Sequence, residues 1–387
     1  MEPVIKRLTT WLLAALLAGC AAAPPVAPTA PLLHDEFFAP PAERPDPEAL
    51  FVLSDEMKRY AAAELRSSPL RHDPRRALID ALYSRGELGL KYDASVTRNA
   101  MQAFEARAGN CLSLVIMTAA FAKHLGLPVR YRSVLVEEMY TRQGDLTMAS
   151  GHVNLVLDRL PQNLHSGPME PGALMVDFLP PEELRGQRSV TVNERTIVAM
   201  FMNNRAVEML SQGLVDTSYA WAREAVRQDP SFGAAINTLG VIYLRAGHHI
   251  EAEAVFRALL TQEPDHVSAL TNLVRLLQRD GRPSEAQALG EQLARLQPQP
   301  PFHFYDLGRQ AMARREFKSA RDLFRRELRR QPYQHEVHFW AAQAAAQLGD
   351  TAGAVRHLRQ AMENSPDSGS HDAYAGKLAH LRASRLQ

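Results

Sequence analysis

Thiol is nearly absent from this chain. Its 387 residues hold two cysteines, Cys20 and Cys111. One widely separated pair is no disulfide framework of the kind that staples small domains, and it lacks the close thiol spacing of a structural zinc site. An excess of either charge is also missing. Lys and Arg number 44 against 43 Asp and Glu, a formal net charge of +1. No general affinity for nucleic acid follows, so none is expected as a partner. There is no Gly-rich phosphate loop, no zinc-ligand spacing and no Ser-His-Asp order. His248 and His249 are adjacent but have no partner ligand in the sequence. The expectation is no metal and no cofactor. The apolar run "WLLAALLA" (11–18) is too short to span a bilayer stably.

What is present at the N-terminus is a targeting pattern. Lys6 and Arg7 supply positive charge, the apolar run follows, and "LAGC" (17–20) closes it. This resembles the lipobox of bacterial lipoproteins. The resemblance implies a signal peptide over 1–19, cleavage before Cys20 and lipid on Cys20. Ala21 follows where inner-membrane retention is associated with aspartate, which implies the outer membrane, facing the periplasm. Cys111 is then the only free thiol in an oxidising compartment, either a packing residue or a nucleophile. Residues 20–47 are proline-dense without apolar period and read as a semi-rigid tether. Phe37 and Phe38 within it either dock on the folded part or belong to the linker.

Helical spacing of apolar residues predicts helices over 48–66, 74–84, 97–109 (closed by Gly109) and 111–125. The last is apolar on nearly every side, hence buried, and is stopped by Gly126 and Pro128. Strand-favouring runs follow at 129–138, 152–158 and 174–178, with polar loops at 140–151 and 159–173 between them.

From residue 200 a period dominates. Pro230, Pro264, Pro298, Pro332 and Pro366 recur every 34 residues. Leu239, Gly240, Tyr243, Ala252, Phe256 and Pro264 fall at the offsets of the tetratricopeptide pattern. Phe304, Leu307, Gly308, Ala320 and Phe324 repeat it. The first repeat, about 199–230, is degenerate, with Asn203 and Asn204 where apolar residues are expected nearby. Residues 371–386 read as a solvating cap helix. About five repeats and a cap therefore fill 196–387.

Cys111 sits where a helix should start, capped by Asn110 or Gly109. First-turn N–H groups and the positive end of the helix favour a thiolate and are suited to hold an oxyanion. A nucleophilic thiol needs a base and a group that orients it. His152, opening the second strand, and Asp177, in the third, are placed for those roles. Asp158 and Asn154 are alternatives to Asp177. Asn154 shares a strand face with His152, two residues away.

The blocks "GNCLSLVIMTAAFAKHLGLPVRYRSV", "GHVNLVLD" and "MVDF" resemble the bacterial transglutaminase-like domain of the papain-like cysteine peptidase clan. The resemblance covers roughly 90–180. It implies Cys111 as nucleophile, His152 as general base and Asp177 as its orienting group, with Asn110 and Asn154 in support. Leu112 and Ser113 depart from the pattern, since acidic residues often follow the cysteine in active relatives. The expected architecture is an α+β transglutaminase-like domain over 48–195, helices packed on an antiparallel sheet, followed by an all-α tetratricopeptide-repeat solenoid. The expected function is cysteine peptidase, amidase or transamidase chemistry through a thioacyl intermediate. The repeats would bind a protein or peptide partner, and the lipid would hold the membrane. The competing expectation is a non-catalytic scaffold in which the repeats do the work. The arginine-rich stretch 312–332 reads as a solvated helix face rather than an acidic partner's site.

Overall fold

The computed structural model describes residues 29–67, 70, 72–84, 88–93, 96–143, 146–158, 172–178, 188–365 and 368–383. The signal-like segment with Cys20 lies outside them, as does most of the expected 159–173 loop. No helix among the described residues is long and apolar enough to cross a membrane.

The first expected helix begins later than its apolar spacing suggested. Glu48–Phe51 is a separate 3-10 turn, and α1 runs Asp55–Ser67. Ser54 Oγ accepts from Met57 N–H at 3.2 Å, a side-chain cap that sets the start. Helix α2 (Pro74–Ile79) continues into a wider turn over Asp80–Ser84. Helix α3 (Ala100–Ala106) opens on a reciprocal Asn99–Gln102 cap. It closes at Arg107, in the left-handed conformation with φ 49°, and not at Gly109. Gly109 instead belongs to a two-residue strand, β2 (Ala108–Gly109), paired in parallel with β1 (Lys91–Tyr92). A Cβ there would lie 2.7 Å from Ser113 Cβ, so the next helix comes too close for a side chain.

Helix α4 (Cys111–His124) is buried without a break from Leu112 to Ala122. It packs against a four-stranded antiparallel sheet of order β5-β4-β3-β6. These are β3 (Val129–Gln143), β4 (Leu146–Leu157), β5 (Leu174–Val176) and β6 (Arg188–Val192). The polar stretch 140–151, expected as a loop, is largely strand. Tyr140 pairs with Ala149 and Gln143 with Leu146, beyond a register shift between Val134 and Met139. Cross-strand pairing wins there over polar composition. His152 therefore lies within β4 and does not open it. Strand β6, pairing Tyr131 with Val192, is not among the expected strands, its signal being confined to the short Val190-Thr191-Val192 run.

Five helix pairs follow. They are α5 and α6 (Glu194–Ser211, Val215–Gln228), α7 and α8 (Gly233–Ala246, His249–Gln262), α9 and α10 (Val267–Arg279, Pro283–Leu296), α11 and α12 (His303–Ala313, Phe317–Arg330), and α13 and α14 (His335–Gln347, Thr351–Glu363). Helix α15 (Ser368–Ala383) caps them. The second helices begin at 215, 249, 283, 317 and 351, the 34-residue period of the prolines. The small positions sit where helices cross. Ala252 and Ala320 are fully buried, and Gly240 and Gly308 lie under Phe256 and Phe324.

One apolar core runs from Leu50 through α4 and the sheet, across α5, and on to Ala286 in α10. Two smaller clusters, centred on Phe324 and on Leu358, hold α11 to α15. Between α10 and α11 lie Pro298, Pro300, Pro301 and Phe302, the last at φ 62°.

Residues 30–43, expected within a free tether, are fastened to the repeats. Phe37 stacks on His248 (4.2 Å between centroids) and Phe38 on Tyr219 (4.0 Å). The Tyr243 hydroxyl donates to Leu32 O and accepts from His34 N–H. Asp35 pairs with Arg223, and Glu43 with Arg205.

Candidate active site

Asn110, and not Gly109, caps α4. Its Oδ1 accepts from Ser113 N–H and from the Ser113 hydroxyl, both at 2.9 Å. This places Cys111 as the first helical residue, half-buried and with a free thiol. N–H groups at such a position have no acceptor within their own helix.

His152 is 1% exposed. Its Nε2 lies 2.7 Å from Asp177 Oδ1. Asp177 follows the last residue of β5, and continuing the β4–β5 register brings it opposite Asn154. Asn154 Nδ2 donates to Asp177 Oδ2 at 2.7 Å. One carboxylate thus binds both side chains of the strand face. Asn154 is a partner of Asp177 and not its substitute. Asp158 is occupied elsewhere, bonded by Arg130 through Nε and an Nη.

His152 Nδ1 is buried and has no hydrogen-bond partner. Cys111, at the start of α4, lies close enough to act on the charge of this ring. Burial opposes the charged imidazole. The hydrogen bond to Asp177, the neighbouring Cys111 side chain and the carboxylate's charge outweigh it, and His152 is pushed up to about 9. The ring therefore holds a proton at neutral pH, with the carboxylate of Asp177 at Nε2. Phe178, next in the chain after Asp177, and Tyr83 have ring centroids 5.3 Å apart, and the Tyr83 hydroxyl meets Thr118 of α4 at 2.5 Å.

Four residues in the surroundings carried no signal in the sequence. Thr97, Arg98 and Ser113 brace the start of α4, and Glu208 reaches it from the first repeat. Only the polar character of 203–204 hinted that α5 faces something other than a repeat neighbour.

Elsewhere, His248 is taken up by stacking on Phe37, and His249 faces Asp280 and Arg279. No group of three potential metal ligands occurs among the described residues. On α12, Arg326 lies over the Phe304 ring and Arg330 binds Gln299 O, so part of the arginine-rich stretch is engaged within the fold. A groove of about 810 Å³ is lined by Tyr305, Arg309, Glu336, Phe339, Trp340 and Tyr374 of α11, α13 and α15.

Two family models match, both described as tetratricopeptide repeat, over residues 243–303 and 305–369. The C-terminal region is a solenoid of such repeats, a type that commonly binds protein or peptide partners. No curated protein matches. Among solved structures, pilF of Pseudomonas aeruginosa is 19% identical, covering 49% of this chain and 94% of that one, with TM-score 0.28. MamA of Desulfovibrio magneticus RS-1 is 17% identical over 44% and 96%, with TM-score 0.26. YrrB, described as a TPR protein with an unusual peptide-binding site, is 19% identical over 46% and 92%, with TM-score 0.25.

Proposed function

We propose that the N-terminal α+β region is a transglutaminase-like domain carrying out acyl chemistry at Cys111. The observation that carries this reading is a buried His152 bonded through Nε2 to the carboxylate of Asp177, in electrostatic reach of Cys111 at the start of α4. The thiol proton resides on His152, and sulfur attacks an amide carbonyl. The C–S bond forms as the carbonyl becomes an oxyanion, facing the first-turn N–H groups of α4. Collapse expels the amine, which takes the proton from His152, and leaves a thioester on Cys111. Water or a second amine, losing its proton to His152, then releases the acyl group as acid or new amide. Asp177 and Asn154 keep the ring oriented throughout. Lipid on Cys20 anchors the chain to the outer membrane, facing the periplasm, and the repeats recruit the protein or peptide that is acted on.

The test is labelling of Cys111 by iodoacetamide near neutral pH, read by peptide mass, in wild type and His152→Ala. A drop of tenfold or more in the variant is expected. Equal rates would remove the catalytic reading.

The second reading is a scaffold whose repeats bind a partner without chemistry. The aromatic groove between α11, α13 and α15 favours it. Partner binding that is abolished by Trp340→Ala and indifferent to Cys111→Ala, with no thioester trapped on any amide donor, would select it.

A further inference from the structure

Thr97 is 2% exposed and bonded from opposite sides. Its N–H donates to Glu208 Oε1 at 2.7 Å. Its hydroxyl accepts from Asn110 Nδ2 at 2.9 Å and from Asn204 Nδ2 at 3.4 Å. Asn110 is the cap of the helix that begins with Cys111. Glu208 and Asn204 belong to α5, the first helix of the repeats. Glu208 is itself held by Arg205 Nη1 at 2.6 Å, and Arg205 lies over Trp221 and reaches Glu43.

We propose that Glu208 and Thr97 are positioning residues for Cys111, so that the first repeat helix is a working part of the thiol site. The inference rests on Cys111 acting with His152. An asparagine amide is nearly symmetric in shape, and only its neighbours decide which end is oxygen. Here Ser113 N–H requires the oxygen, and the Thr97 hydroxyl fixes the nitrogen. Without that hydroxyl the amide is free to turn, and its NH2 would then oppose Ser113 N–H. The cap is lost and the first turn of α4 loosens, with Cys111 at its tip. Glu208 keeps Thr97 in place from below. The relay also accounts for one polar residue of the degenerate repeat: Asn204 serves Thr97 instead of a neighbouring repeat.

The full chain is used for the test. The rate of Cys111 alkylation by iodoacetamide is measured from pH 5 to 9.5 in wild type, His152→Ala, Thr97→Val and Glu208→Leu. Thr97→Ser and Glu208→Gln serve as rescuing variants that keep a hydroxyl and an acceptor. Thr97→Val and Glu208→Leu are expected to slow labelling at least fivefold below pH 7 and to move the profile toward that of His152→Ala. The rescuing variants should recover most of the rate. A residue that merely stabilised the fold would lower the melting temperature and leave the profile of the folded protein unchanged. Should Thr97→Val fail to fold, Glu208→Leu, at the less buried end of the relay, carries the comparison. If both follow the wild-type profile while His152→Ala departs from it, the positioning role is wrong and the thiol site stands. If His152→Ala also follows wild type, Cys111 does not act with His152, and the positioning role falls with the site.

Discussion

Gly240 offers the sharpest test of the repeat packing. A Cβ at this position would stand 2.5 Å from Phe256 Cε1 and 2.8 Å from Cζ. Carbon atoms in contact prefer about 3.5–4.0 Å, so the ring must retreat by roughly 1 Å. Phe256 is fully buried and has no solvent to retreat into. Overpacking of this kind costs about 1–3 kcal/mol. Alanine in a helix interior returns about 0.5–1 kcal/mol relative to glycine. The net expectation for Gly240→Ala is a loss of about 1–2 kcal/mol, a fall of roughly 2–4 °C in Tm per kcal/mol for a unit of this size. Gly290, inside α10, supplies the contrast because an added Cβ there meets nothing within 4 Å. Gly290→Ala should stabilise by about 0.5–1 kcal/mol. The assay is thermal and urea unfolding of both variants, with Gly240→Ala repeated in a Phe256→Leu background. There the penalty should shrink, because the opposing ring edge is gone. A Gly240→Ala protein as stable as Gly290→Ala, or an undiminished penalty with Phe256→Leu, would refute the packing argument.

Asp177→Asn removes the carboxylate that raises His152, so the ring's pKa should fall from about 9 to the ordinary range or below, where burial alone pulls it; histidine NMR titration checks this. Phe38→Ala removes the stack on Tyr219, and limited proteolysis should then cut within 30–43 faster while the repeats stay intact. Histidines in the two halves should give opposite pH trends. His152, raised in the fold, adds stability that is full below about pH 6.5 and lost as pH rises through about 9. In the C-terminal half, His338 Nε2 faces Pro332 O at 2.8 Å and so carries hydrogen, and its bare Nδ1 faces His357 Nδ1 at 3.1 Å. Burial lowers both, and His357, also beside His338 and Arg356, falls to about 4. That half should lose stability as pH drops from about 6.5 towards 4, because the unfolded chain takes up the protons first; melts followed at Trp340 would show the trend.

The repeats were legible because each carries its own punctuation. A proline every 34 residues, and Gly240 paired with Phe256 as Gly308 is with Phe324, are local signals repeated. The position of Cys111 at a capped helix start was legible for a similar reason, since Asn110, the thiol and the apolar helix lie in one short stretch. The juxtaposition of His152 with Asp177 was expected from adjacent strands, although the alternation that puts Asn154 on the face of His152 left it as a rival where the register makes it a partner. What escaped was decided by distant pairing. Residues 140–151 look like a loop until a neighbouring strand is supplied. Phe37 looks like linker until His248, more than two hundred residues away, is placed beneath it. Thr97 and Glu208 are polar residues of ordinary appearance, and nothing near either one announces the other.

The division of the apolar core between α10 and α11 decides which end of the solenoid gives way. A stack of repeats unravels from its ends, because each unit is held by its neighbours. Here the front end is closed: α5 is built into the same core as α4 and the sheet, and residues 30–43 are strapped across α6 to α8. Fraying is left to the other end, where α11 to α15 rest on two small clusters beyond three prolines. The aromatic groove of Tyr305 and Trp340 lies in that softer half. A ligand that seats there firms up the part of the molecule with the least stability of its own, adding RT ln(1 + [L]/Kd) to it. Occupancy of the groove would therefore register first as resistance to protease at the C-terminus, with the thiol site at the far end left undisturbed.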